Sequence, residues 1–183
     1  MAWLKARSAP QLGYLVAVLA LVLDQGWKLT FLYGLGWIET LSEPTTSAHD
    51  IELLPFFSIV MVWNHGISYG LLQAETGFEK ALLAVFALGV TGFLIWWLRS
   101  IKDARLAVSL GLIIGGALGN VIDRILYGAV ADFFYLHTFD RTTGWYVFNL
   151  ADTAVVIGVA IMVLDLVISE WRSRAGGAKE DKT

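Results

Sequence analysis

The chain has 183 residues, of which 57% are hydrophobic and 16% charged, with a formal net charge of −3 and a mean hydropathy of +0.65. This composition lies well to the apolar side of a soluble domain and, together with apolar runs of spanning length, indicates an integral membrane protein built as one small helical bundle. The charge is too small to suggest nucleic acid, and the absence of cysteine excludes a cysteine nucleophile, thiolate metal sites and disulfides.

The first apolar run follows Lys5 and Arg7 and covers about residues 12–33. It begins like a signal peptide, but no small-residue cleavage site follows and the pattern continues through Phe31 and Tyr33, so a retained span is expected. Next comes "LLPFFSIVMVWNHGISYGLL", from Leu53 to Leu72. Its β-branched and aromatic body, with Pro55 near the start and Asn64, His65 and Gly66 after it, reads as a strand and a turn rather than a further span. Three more spans are expected over about residues 81–98, 106–122 and 150–168, each near the roughly 20 residues that crossing requires.

Charge placement supports four spans. Lys5 and Arg7, then Arg99, Lys102 and Arg105, then Arg172, Arg174, Lys179 and Lys182 fall on one side, whereas no Lys or Arg occurs from Gly34 to Gly77. The positive-inside rule then puts both termini in the cytoplasm. The expected fold is a mainly α membrane protein with a small outer β-rich platform over about residues 36–75. An outer loop or helix is expected over about 125–148, and 1–175 forms a single membrane-embedded domain. Residues 176–183 are expected to be a disordered polar tail.

Ionisable groups within spans are costly and therefore functional candidates. In "LDQGWK", Asp24 and Lys28 at i and i+4 can pair, and Gln25 adds a third polar group; an internal salt bridge and a role in holding substrate or another helix are both open. In "GLIIGGALGNVIDR", Gly111, Gly115 and Gly119 form a small-residue stripe suited to close helix packing. Just beyond it Asn120, Asp123 and Arg124 share one face, as a structural ion pair or as part of a site. Asp132 in "AVADFFYLH" sits among apolar and aromatic neighbours, either as a turn or cap residue or as a buried carboxyl with a raised pKa. In "FNLAD", Asn149 and Asp152 can cap the last helix, yet Asp152 begins that helix on the same face that Asp132 occupies.

Two carboxyls that meet can share a proton, one activating water and the other protonating a carbonyl oxygen. Other hydrolytic schemes fit less well. There is no HExxH motif, His49, His65 and His137 lack ligand spacing, and no GxSxG elbow places Ser68. No metal and no cofactor are expected.

These residues resemble, box by box, the lipoprotein signal peptidases, the signal peptidase II family of bacterial membrane aspartic proteases. "DQGWK" is similar to the family's D-Q-x-x-K box, "NHGISYG" to N-x-G-x-x-F-G, "GGALGNVIDR" to G-G-x-x-G-N-x-x-D-R, "VADFF" to V-x-D-F and "FNLAD" to F-N-x-A-D. The resemblance implies that Asp132 and Asp152 are the catalytic pair and that Asp24, Asn64, Asn120, Arg124, Asn149 and Ala151 line or order the site. Lys28, Gln25, Gly66 and Asp123 are secondary candidates.

The resemblance further implies four transmembrane helices with an extracytoplasmic β-cradle and a short periplasmic helix, in the bacterial cytoplasmic membrane with the site facing outward. The implied substrates are diacylglyceryl prolipoproteins cut just before the lipidated cysteine, met by lateral diffusion among membrane lipids, and a monomer is expected. Residues 125–138 are expected to close over bound substrate. The departures are Ile67, Ser68 and Tyr69 in the second box, and the stretch 36–51, which matches no box. The rival reading from another class is a proton-coupled transporter using Asp24, Asp123 and Asp152 as a relay; a third is an assembly factor whose polar residues only staple the bundle.

Overall fold

The computed structural model describes residues 8–38, 49–66 and 76–180, with side chains as far as Trp171. Helix α1 (Ala9–Leu29) starts at Ser8, where the Ser8 backbone N–H donates to Gln11 Oε1 at 3.1 Å, and Pro10 occupies the first turn. It continues as a wider π-helical turn, Thr30–Gly34, whose Phe31 and Leu32 are buried. Helix α2 (Gly77–Leu98) begins with a reciprocal Thr76–Glu79 capping box. In helix α3 (Ala104–Tyr127) the Asp103 carboxylate accepts from the Arg105 and Leu106 N–H groups at 2.8 and 3.0 Å. The helix stops at Gly128, whose φ of 71° suits glycine best. Helix α4 spans Leu150–Glu180.

Four segments are long and apolar enough to cross a membrane, Ala9–Gly34, Gly77–Leu98, Ala104–Tyr127 and Leu150–Trp171. The chain is therefore a multi-pass membrane protein. The spans exceed the predicted bounds because capping residues and interfacial aromatics extend each helix beyond its apolar centre.

Helix α3 lies at the middle of the bundle, and its glycines explain how its neighbours come so close. A Cβ at Gly111 or Gly115 would strike the Gly13 or Ala17 carbonyl of α1, and one at Gly116 would strike the Ala151 carbonyl of α4. Small residues permit this backbone contact, and in lipid such packing replaces the hydrophobic drive between helices.

At one end of the bundle stands an antiparallel sheet of three strands in the order β1–β2–β3, with β1 at Asp50–Leu54, β2 at Phe57–Asn64 and β3 at Val130–Leu136. One face packs on the end of α1, where Phe31, Leu32 and Trp37 meet Ile59, Met61, Trp63, Ala131 and Phe133. The β-platform expected within 36–75 thus holds two strands, while residues 39–48 and 67–75 lie outside the described residues.

The expected outer loop or helix at 125–148 is corrected: residues 125–127 still belong to α3, and β3 follows as the third strand. Residues 130–133 are buried, and Val130, Ala131 and Asp132 pair with Asn64, Trp63 and Val62 of β2. After the first span, Trp37 and Ile38 form the described part of a 3₁₀ turn, and residues 39–48 lie outside the described residues. Of the expected polar tail, residues 176–180 continue α4, and 181–183 lie outside the described residues.

Candidate active site

Strand alternation sends Ala131 and Phe133 into the apolar core and turns Asp132 to the other face. Asp132 stands opposite Val62 in the β2–β3 pairing. The approach to α4 then runs beside β3: the Phe148 carbonyl accepts the Phe133 and Phe134 N–H groups at 3.0 and 2.8 Å, and the Phe148 N–H donates to the Phe134 carbonyl at 3.0 Å. This short piece of pairing delivers the next residue, Asn149, to Asp132.

Asn149 is fully buried. Its Nδ2 donates to Asp132 Oδ1 at 2.6 Å, to Asn120 Oδ1 at 3.1 Å and to the Ala131 carbonyl at 3.4 Å. Its Oδ1 accepts the Asp152 N–H at 2.8 Å, and its own N–H donates to Asp152 Oδ2 at 3.4 Å. The helix cap and the contact to Asp132 are therefore made by the same side chain. Asn120 completes the circuit by donating from Nδ2 to Asp152 Oδ1 at 2.8 Å.

On its other oxygen Asp132 accepts from Asn64 Nδ2 at 3.0 Å. Asn64 Oδ1 accepts the Gly66 N–H at 3.0 Å, and the Gly66 carbonyl accepts from Arg124 Nη2 at 3.1 Å. Arg124 Nη1 donates to the Asn120 carbonyl at 3.3 Å. Arg124 therefore ties the turn after β2 to α3; the Asp123–Arg124 ion pair considered from the sequence does not form, because Asp123 faces Lys28 instead.

Behind the two carboxyls, Lys28 Nζ lies 2.8 Å from Asp24 Oδ2 and 2.7 Å from Asp123 Oδ2, and it donates to Asn120 Oδ1 at 3.4 Å. Gln25 Nε2 donates to Asp123 Oδ1 at 3.0 Å, and to Asp24 Oδ2 and the Gly119 carbonyl at 3.2 Å each. Asp24 Oδ1 accepts the Ala151 N–H at 2.9 Å, and Asp123 Oδ2 accepts the Ala131 N–H at 3.1 Å. Every site residue expected from the sequence is thus within this one network or bonded to it.

Burial pushes the Asp132 carboxyl well above the usual carboxylate range, and the neighbouring Asp152 charge pushes the same way; the bonds from Asn64 and Asn149 and the Lys28 charge only partly oppose them. Asp152 is half-buried and, with Asn120, borders a cavity of about 530 Å³ whose walls include Leu136, Trp145, Phe148 and Val156. Two carboxyls, one disposed to keep its proton, beside an apolar cavity can perform general acid–base hydrolysis. Among the described residues, no group of three or more His, Asp or Glu side chains is clustered as a metal site.

Sequence reasoning missed Ala131 and Phe148, and it read Gly119 only as a packing residue. A Cβ at Gly119 would strike the Asp24 carboxylate of α1 and crowd Ala151 of α4, so this glycine makes room for the polar network as well as for its neighbouring helices. A signal for Ala131 was present: both Ala-Asp pairs of the chain, Ala131-Asp132 and Ala151-Asp152, are placed here. For Phe148, whose contribution is its backbone, the side chain carries no signal.

The family described as signal peptidase (SPase) II matches residues 16–168. The lipoprotein signal peptidase of Methylocella silvestris is 44% identical over 168 residues, 91% of this chain and 91% of the relative. That of Methylobacterium radiotolerans is 44% identical over 170 residues, 92% of this chain and 94% of the relative. Two solved bacterial membrane enzymes share the fold. One has a TM-score of 0.68 at 24% identity, covering 86% of this chain and 88% of its own. The other has a TM-score of 0.63 at 25% identity, covering 84% and 91%.

Proposed function

Because this chain belongs to the signal peptidase II family of proteases, we propose that it removes the signal peptide from diacylglyceryl-modified prolipoproteins, with Asp132 and Asp152 as its catalytic pair. Water held between the two carboxyls attacks the carbonyl carbon that precedes the lipidated cysteine. The ionised aspartate takes a proton from that water while the protonated one donates to the carbonyl oxygen. The tetrahedral diol then collapses, the C–N bond breaks, and the cysteine nitrogen leaves with a proton from the dyad. The observation that carries this reading is Asn149, bonded at once to Asp132 and to Asp152.

The 530 Å³ cavity beside Asp152, walled by Trp145, Phe148 and Val156, suits apolar substrate parts that remain among membrane lipids. The basic residues, with Arg105 near Asp165 at the far end of the bundle, favour cytoplasmic termini in the bacterial inner membrane and a site opening outward. A monomer suffices, since both aspartates come from one chain. A proton relay through Asp24, Asp123 and Asp152 is not supported, because the first two share the Lys28 cation and the relatives are peptidases.

The test is conversion of a diacylglyceryl prolipoprotein by the purified protein. Asp132→Asn and Asp152→Asn should each lose about 10⁴-fold or more in kcat, as single removals from a catalytic unit do. Full turnover by either variant would sink the assignment, and proton flux in liposomes without cleavage would favour the relay.

A further inference from the structure

We infer that Lys28 is a positioning residue: by holding Asp24 and Asp123 together it aligns the two peptide N–H groups that immediately precede the catalytic aspartates. This inference rests on the dyad reading of Asp132 and Asp152. The relation is nearly symmetric. Asp24 takes the Ala151 N–H at 2.9 Å, and Asp123 takes the Ala131 N–H at 3.1 Å. Each accepting carboxylate also contacts the same ammonium, at 2.8 and 2.7 Å.

Among the described residues, the hydrogen bonds that link β3 to the start of α4 run through Asn149 and Phe148. Beside those bonds and the β2–β3 pairing, the two backbones are held by one acceptor on α1 and one on α3, and both acceptors contact the same cation. Lys28 is 2% exposed, and Asp24 and Asp123 are 1% exposed each. Without the ammonium, two buried carboxylates would repel each other, and separation would carry Ala131 and Ala151 apart.

Gln25 bridges the same two carboxylates, but a neutral amide cannot compensate two negative charges. Gly119 adds an independent sign that the arrangement is built: a side chain there would occupy the place of the Asp24 carboxylate. Of the residues that border the cavity, Lys28 bonds to Asn120, and its charge also acts on Asp132; the alignment of the two backbones is the part of its effect that runs through Asp24 and Asp123.

The experiment uses the full chain in lipid nanodiscs, with kcat and KM measured on a diacylglyceryl prolipoprotein well below each variant's Tm. Lys28→Met should lower kcat about 100-fold, the cost of a misplacement of about 1 Å, with KM within about threefold; Lys28→Arg, which keeps the charge, should recover about tenfold or more of that loss. A second pair holds the charge balance constant. Asp24→Asn keeps an acceptor for the Ala151 N–H and should stay within about tenfold of wild type, whereas Asp24→Leu removes it and should fall about 100-fold.

A Lys28→Met enzyme with unchanged kcat, or with only KM raised, would overturn the inference, as would equal losses in Lys28→Met and Lys28→Arg. If Lys28→Met does not fold, equal kcat in Asp24→Asn and Asp24→Leu overturns it instead. Failure of the dyad reading is separate: it would appear as turnover in Asp132→Asn or Asp152→Asn, whatever Lys28 does.

Discussion

Asn149 and Asp132 are joined by a 2.6 Å hydrogen bond, although one residue caps a membrane helix and the other lies in the strand that precedes it by a loop. The same Asn149 accepts the Asp152 N–H at 2.8 Å. Helix capping and the alignment of the two carboxyls are one structural act here, and the two roles can be separated by substitution.

Asn149→Asp should keep the cap, since aspartate is as good an N-cap as asparagine, but it places a third carboxyl against Asp132 in place of a donor. Asn149→Ala should lose both, at about 1 kcal/mol of stability for the cap. Measured side by side, the Asp variant should be inactive and should gain more thermal stability than the Ala variant as pH falls and the crowded carboxyls are protonated. An active Asp variant would show that the Nδ2–Asp132 bond is dispensable.

The Asp132 carboxyl is held above its ordinary range by burial and by Asp152. An acid whose folded pKa exceeds its unfolded one stabilises the fold fully at low pH, and that contribution is lost as pH rises through the folded pKa. Wild type should therefore lose thermal stability relative to Asp132→Asn as pH climbs from about 4, the ordinary carboxyl value, until Asp132 has ionised. Parallel Tm curves for the two proteins across that window would contradict the assignment. Cleavage should fall over the same upper limb, because the proton donor of the pair is lost.

Gly119→Ala should damage the site more than the bundle. Its Cβ would strike the Asp24 carboxylate and approach the Ala151 side chain, and overpacking of this kind costs about 1–3 kcal/mol. We expect a kcat loss exceeding that of Gly92→Ala, where a Cβ meets nothing within 4 Å. Circular dichroism melts and turnover of the two variants make the comparison.

Arg124 donates from separate guanidinium nitrogens to the Gly66 and Asn120 carbonyls. Lysine keeps the charge but not the fork, so Arg124→Lys should release the turn after β2 and weaken the Asn64 hold on Asp132. A drop of about tenfold in kcat/KM is expected from a lost second layer of support. Wild-type kinetics would place the function of Arg124 in its charge alone.

Much of this molecule was legible before its fold. The four spans are local matters of apolar length, and the strand in 57–64 is a local matter of β-branched and aromatic residues, because hydropathy and backbone preference act over neighbouring positions. The Asp24–Lys28 contact was legible for the same reason, since i and i+4 meet on any helix. Asp132 and Asp152 could be named from their boxes, and Asp152 as a cap residue from its spacing to Asn149.

Only the tertiary structure decided that Lys28 also belongs to Asp123, that Asp123 and Asp24 end on the N–H groups of Ala131 and Ala151, and that 130–136 is a strand whose first four residues are buried. Those bonds join positions up to 127 residues apart. They exist because the bare glycine faces of α3 let α1 and α4 approach to backbone contact, and because Phe148 pairs with β3. Backbone groups carry no side-chain signature, so a sequence can supply the acids but cannot reveal which distant peptide each one holds.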